Sequence, residues 1–271
     1  MEYAGLRIEI DTVPLPIRTS LRYITRVSGD RNNSAVGDGF ALAFETSTAL
    51  GSVALGRGNL VLAARTFSTP RAHAVEFLPT VAALCQEHDI KANAIRAVFV
   101  SSGPGSFTGL RIGITAARMA AFAQGAMIVP VPTLEVLAQN ALELQPPPPL
   151  VIAILDAKRR RVYAQTFRHG GDHYEPSDEP GERELERYLA ACPNDAAILG
   201  DGVAVHRGDI ETASFRIHPE SFHRPKAETV YRLGRKRLME GCHVNPRELV
   251  PTYIRPPEVE EVWARRLNLN R

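Results

Sequence analysis

Ser101-Ser102-Gly103-Pro104-Gly105-Ser106-Phe107-Thr108-Gly109-Leu110-Arg111-Ile112-Gly113 is the stretch on which the fold turns. An apolar run, residues 97–100, leads into it and a long series of small residues leads out. It therefore reads as a strand, a glycine-dense turn and a helix N-terminus, a place suited to an anion or to close backbone contact. The phosphate signatures do not fit. A Walker loop needs Gly-x4-Gly-Lys-Ser/Thr, and Gly109 is followed by Leu110. A dinucleotide fingerprint needs glycine where Thr108 stands. The loop is expected to serve backbone geometry and packing.

Upstream, residues 40–45, 51–56 and 60–67 are strand-like runs separated by turn residues, which predicts a three-stranded meander. Residues 72–88 carry Val75, Leu78, Val81, Ala82 and Cys85 at helical spacing, with Phe77 and Leu84 widening the stripe. Pro79 is expected to kink that helix or displace its start. Residues 95–100 read as a strand, 108–124 as a helix and 127–131 as a strand, and Thr133 as the cap of a helix running to about residue 144. Four consecutive prolines within 145–149 mark a linker. Beyond it, 150–155 and 161–167 read as strands across a basic turn, 181–191 as a helix, 196–199 as a strand and 228–240 as a helix. Residues 249–254 and an amphipathic end with Val259, Val262, Trp263 and Leu267 close the chain.

The expected division is a first lobe at 40–145 and a second at 150–271, whose C-terminal segment packs back on the first. Each lobe is a meander followed by alternating helices and strands, a duplicated α/β architecture. Residues 1–39 mix prolines, glycines and scattered charges, and read as a poorly ordered extension or a start placed too far upstream.

Composition narrows the function. The chain has 271 residues, 44% hydrophobic and 23% charged, ordinary values for a globular protein with a real core. A net charge of +2 excludes a surface built to coat nucleic acid, so any RNA contact must come from a local patch. Cys85, Cys192 and Cys242 lie far apart, without a Cys-x-x-Cys pair, and read as buried free thiols in a reducing compartment. No apolar run approaches the ~18 residues of a membrane span, and no signal-peptide core is visible. A cytoplasmic location is expected.

Several constellations admit two readings. Gly109, Gly113, Ala117 and Ala120 or Ala121 recur three to four residues apart and share one helix face. That face either packs inside its own domain or is an exposed docking surface, and Gly113→Leu would probe the second reading. His73 opens a helix without a second histidine at metal spacing, since position 77 is Phe77, and no metal is assigned. Ser101, Ser102 and Ser106 lack a Gly-x-Ser-x-Gly elbow, which disfavours a nucleophile. Glu45-Thr46-Ser47-Thr48 is either a hydrogen-bonded turn or the remnant of a metal–phosphate site. Lys158-Arg159-Arg160-Arg161 is a solvated hairpin tip or an RNA phosphate contact.

Together these segments resemble the TsaB (YeaZ) family. The resemblance rests on Phe40-Ala41-Leu42-Ala43-Phe44-Glu45-Thr46-Ser47-Thr48, Arg71-Ala72-His73 with Phe77-Leu78-Pro79, and the glycine block. It continues through Val131-Pro132-Thr133-Leu134-Glu135, Asp156-Ala157-Lys158-Arg159 with Val162-Tyr163, and Pro251-Thr252-Tyr253-Ile254-Arg255. It implies the two-lobed actin/sugar-kinase/Hsp70 (ASKHA) fold with duplicated mixed-sheet lobes. It implies a non-catalytic partner of TsaD which, with TsaE, places threonylcarbamoyl on N6 of adenosine 37 in tRNAs reading ANN codons. Partner contacts would then come from His73, Phe77, Thr108, Gly109, Arg111, Ile112, Gly113, Ala116, Ala117 and Ala120. Glu45, Thr46, Ser47, Gly103, Gly105 and Ser106 would be a degenerate nucleotide loop, tRNA would be met through the complex, and isolated chains could pair as homodimers. No cofactor of its own is implied, with ATP or ADP placed only at the boundary with TsaD.

The chain departs from the family pattern twice. Glu45 stands where the family usually has Asp, and 1–39 has no counterpart. The competing readings are a TsaD-like or metallopeptidase-like enzyme, or an ASKHA kinase. TsaD carries His-x-Glu-x-His, whereas Pro132-Thr133-Leu134-Glu135-Val136 holds no histidine, which removes the metal and its carbonyl-polarising chemistry. A kinase needs adenosine-binding glycines in the second lobe, where only Gly200-Asp201-Gly202 offers itself.

Overall fold

The computed structural model describes residues 25–26 and 39–254. The amphipathic end at 259–267 and most of the 1–39 extension lie outside the described residues. Within that extension, Thr25–Arg26 (β1) is strand, which revises the reading of 1–39 as poorly ordered at this one place.

Phe40–Glu45 (β2), Ser52–Arg57 (β3) and Leu60–Thr66 (β4) form the expected antiparallel meander. His73–Glu87 (α1) follows, then Ile95–Gly103 (β5), Phe107–Gln124 (α2) and Met127–Pro132 (β6). β5 pairs parallel with β2, and β6 parallel with β5, giving the order β4-β3-β2-β5-β6. Thr133–Gln139 (α3) leads to the proline linker. The second lobe repeats the plan. Leu150–Asp156 (β7) and Arg161–His169 (β8) are antiparallel, Tyr174–Pro176 (β9) and Gly181–Glu184 (β10) pair with β8, and Leu185–Ala190 (α4) follows. Ala197–Leu199 (β11) pairs parallel with β7, and Gly202–Val205 (α5) and Arg207–Thr212 (α6) cover that sheet. Ala227–Met239 (α7) and Cys242–His243 (β12) come last; β1 pairs with β12, and Val244 bridges to Ile128 on β6.

α1 and α2 pack on one face of the first sheet, through Phe77, Leu84, Ile114 and Ala117 against Phe44, Val53 and Val100. The other face carries alanines at 41, 43, 54 and 97, and against it lies α7, with Val230 and Tyr231. α7 comes so close that a Cβ on Gly234 would lie 2.4 Å from the Phe99 ring. Residues after the second lobe therefore complete the core of the first. α7 belongs to 150–271 by sequence and to the first lobe by packing, because a sheet with two apolar faces needs a cover on each. α3 ties the two together: Val136 joins the first core, while Leu134 and Leu137 join Val151 and Phe167 of the second.

Five expectations change. Residues 181–184 are strand, because they pair with the edge residues 161–164 of β8, so only 185–190 is helix. Thr133 caps nothing: it is the first residue of α3, and its buried hydroxyl has no partner. α3 stops at Gln139 and tightens to a 3-10 turn, Asn140–Glu143, as Asn140 Nδ2 donates to the Phe222 and Arg224 carbonyls. Pro79 does not break α1, since the carbonyl it frees, that of Val75, lies on the side where Val75 and Pro79 both face solvent. The three cysteines are free and half-buried rather than buried.

Candidate docking surface and the closed glycine loop

At the end of β2 the Glu45 side chain is wholly enclosed. Its Oε1 accepts from the backbone N–H of Ser47 at 2.7 Å and from the Ser47 hydroxyl, while Oε2 accepts from the Ser101 hydroxyl on β5. Burial pushes the carboxyl pKa up, and these donors only partly oppose it. The glycine block closes on this turn from above. The N–H of Ser106 donates to the Ser47 carbonyl at 2.6 Å, and Ser106 Oγ caps α2 by accepting from the N–H of Gly109.

The spacing leaves no room for a guest. A Cβ on Gly109 would lie 1.9 Å from the Thr46 carbonyl oxygen, and one on Gly105 2.3 Å from that of Ser47. Gly103 adopts φ of 109°, open only to glycine, and the Thr252 carbonyl abuts it. Thr252 in turn donates its N–H to the Ser102 carbonyl at 2.7 Å, so residues 251–253 strap the loop down.

A metal–phosphate group does not fit these residues. Glu45 spends both oxygens on its own chain, and the segment matching the TsaD metal motif offers Glu135 alone, bound to Arg237 on α7. Burial raises the Glu135 pKa and Arg237 opposes the rise. Among the described residues no group of three or more His, Cys, Asp and Glu side chains could hold a metal ion.

The small-residue face of α2 looks inward. Gly109, Gly113, Ala117 and Ala121 are buried against the chain's own sheet, and a Cβ on Gly113 would lie 2.5 Å from Thr46 Oγ1. Gly109, Gly113 and Ala117 are corrected from a partner contact to an internal seam, so Gly113→Leu is a folding lesion. His73 and Phe77 are corrected likewise. Phe77, 2% exposed, meets Phe44 edge-on at 4.8 Å, and His73 lies under Phe67, with burial lowering its pKa. Of the other expected contact residues, Thr108 and Arg111 are exposed, and Ile112, Ala116 and Ala120 are half-buried.

What α1 and α2 present to solvent is apolar all the same. Val75 is 75% exposed, Leu78 69%, Met119 61% and Phe122 55%. The two helices are in contact, and all four side chains stand on their solvent side. Helical spacing joins Val75 and Leu78 in one stripe but does not say which side of the helix packs. α1 is apolar on two sides, and the side with Phe77 and Leu84 is the one that packs.

The basic turn is partly neutralised. Lys158, Arg159 and Arg160 are all left-handed, with φ of 61°, 54° and 59°. Arg160 pairs with Glu186 at 2.9 Å and Arg161 with Glu182 at 2.7 Å, and Glu184 and Asp209 line the same cavity of about 340 Å³. Acids so interleaved weaken the field that a phosphate would feel.

Comparison with known proteins agrees with this architecture. The family profile "TsaD: tRNA N6-adenosine threonylcarbamoyltransferase" matches residues 65–263. The tRNA threonylcarbamoyladenosine biosynthesis protein TsaB of Haemophilus influenzae is 36% identical, over 79% of this chain and 92% of its own length. That of Bacillus subtilis is 29% identical, over 82% of this chain and 96% of its own. The structure of YeaZ from Pseudomonas aeruginosa superposes with a TM-score of 0.68 at 29% identity, covering 79% of this chain and 99% of that one. With its paired meander sheets and sealed glycine block, the chain belongs to the TsaB (YeaZ) family of tRNA threonylcarbamoyladenosine biosynthesis proteins.

Proposed function

We propose that this chain serves tRNA threonylcarbamoyladenosine biosynthesis as a non-catalytic docking subunit. Its partner is TsaD, joined by TsaE, and the complex rather than this chain meets tRNA and adds threonylcarbamoyl to N6 of the target adenosine in the cytoplasm. The observation that carries this reading is the exposed apolar face of Val75, Leu78, Met119 and Phe122 on two adjacent helices. Such a face costs free energy in water and gains it against a partner, on the order of 1.5–3 kcal/mol per fully buried side chain. The enclosed Glu45 and the Glu135–Arg237 pair support the non-catalytic half, because neither carboxyl is open to a substrate. Under this reading the subunit holds no metal or nucleotide of its own, and ATP or ADP binds at the boundary with TsaD.

The test is reconstitution. Alone, the chain transfers no threonylcarbamoyl group; with cognate TsaD and TsaE it restores transfer, read by mass spectrometry of tRNA nucleosides. Leu78→Arg with Met119→Arg abolishes copurification with TsaD and leaves thermal stability of the lone chain unchanged, because both positions are exposed. Transfer by the chain alone, or an intact complex from the double variant, refutes the proposal.

A further inference from the structure

The exposed stripe of Met119 and Phe122 runs on to the end of α2. Its next member at helical spacing is Gly125, which closes the helix with φ of 70° and donates its N–H to the Ala121 carbonyl at 2.9 Å. A Cβ built on Gly125 meets nothing within 4 Å. Gly125 lines an open cavity of about 500 Å³, set between the end of α2, the start of β6 and residues 243–248. Ala126, Met127, Val244 and Pro246 give that cavity apolar walls.

Its charge is one-sided. Glu248 is part of the lining, is exposed, and makes no ion pair among the described residues. α2 has no basic residue in its last turn, so the negative end of its dipole is left uncompensated beside the cavity. Arg247, next to Glu248 in sequence, is not among the lining residues.

We propose that this cavity is the anchor pocket of the docking surface, and that it takes one aromatic side chain of the partner with a lysine or arginine beside it. Such an anchor presupposes the docking reading above and specifies what the partner must bring. The four exposed side chains of α1 and α2 offer a partner apolar cover. The cavity, beginning where that stripe ends, offers it a recess, and binding energy concentrates where a large side chain is wholly desolvated in a pocket. Glu248 and the carbonyl end of α2 attract the flanking cation and repel an acidic neighbour, which makes the site selective as well as adhesive.

Tryptamine, an indole carrying an ammonium group, is the probe, used on the full-length chain without partner. Expected are shifts of the amide resonances of 125–127 and 244–248 in two-dimensional NMR, saturating in the millimolar range for so small a molecule. Indole alone binds several-fold more weakly, and Glu248→Gln erases that difference. His243→Trp fills the cavity from its wall, and Asn245→Trp fills it from an exposed position. Each abolishes the shifts at unchanged circular dichroism and weakens TsaD binding roughly 30-fold, the loss of one hot-spot side chain. Glu248→Gln slows TsaD association several-fold at low ionic strength and leaves it unchanged at about 1 M salt. No saturable shift at these amides, or shifts that persist in both filled variants, overturns the pocket. Shifts lost in both filled variants with TsaD binding unchanged overturn the anchor and leave the docking face standing. TsaD binding that survives Leu78→Arg with Met119→Arg refutes the docking face, and the anchor with it, whatever tryptamine does.

Discussion

Gly109→Ala is the sharpest probe of this fold, because its sign depends on which way the small-residue face of α2 points. On an open helix face the change adds no clash and improves helix propensity, stabilising by about 0.8–1 kcal/mol. Here the new Cβ would sit 1.9 Å from the Thr46 carbonyl oxygen and 3.2 Å from its carbon. Both atoms are backbone, held by the Glu45–Ser47 hydrogen bonds beneath, and cannot swing aside. The seam must open by roughly 1 Å, in the range where overpacking costs about 1–3 kcal/mol or somewhat more. Propensity offsets part of this, leaving a net loss of about 1–2 kcal/mol, or a fall in Tm of roughly 2–8 °C for a chain this long. Gly113→Ala is milder, as its clash is with the movable Thr46 Oγ1. Urea and thermal unfolding of the isolated protein measure both. Stabilisation by Gly109→Ala would show that the face is not sealed against the sheet, and the inward assignment would fall.

Other expectations follow from buried charge. Glu45 has a raised pKa, so its contribution is fully present below the unfolded value near 4.5 and is lost as pH rises through the folded value. Glu45→Gln is therefore expected to gain in stability relative to wild type as pH increases, in unfolding curves taken from pH 4 to 8; a constant difference would contradict the assignment. His73, His218 and His223 have pKa values lowered by burial, so their contribution is present above about pH 6.5 and is lost as pH falls below it. His73→Gln should flatten part of that acid limb, and an unchanged limb would show that His73 titrates alike folded and unfolded. Arg237→Ala strands the Glu135 carboxyl and should cost about 3 kcal/mol, whereas Arg237→Met with Glu135→Leu should recover most of it. A single variant as stable as wild type would show that the pair is not structurally coupled.

Much of the fold is local and was legible as such. The meander, the strand–glycine–helix unit and the proline linker are all written in short-range period and turn chemistry, and β2 to β4 fall within a residue or two of the expected bounds. Residues 181–184 failed for the complementary reason. Gly-Glu-Arg-Glu has no strong preference of its own, and the free edge of β8 made it a strand. α7 is amphipathic in any reading, yet only the assembled molecule shows that its apolar side covers the first sheet rather than the second.

The candidate surface divides in the same way. The sequence alone established that α1 is apolar around more than one side and that α2 bears a stripe of small residues, since both are matters of spacing. It also established the absence of histidines from the segment around Glu135 and the unusual carboxylate at Glu45. Which side of each helix meets the sheet was decided by tertiary packing. Glycine lets Thr46 approach the backbone of α2, and that approach turns the small face inward and leaves Met119 and Phe122 in water, as packing through Phe77 and Leu84 leaves Val75 and Leu78. Spacing along a chain lists the faces of a helix; only the shape of what lies beside it chooses among them.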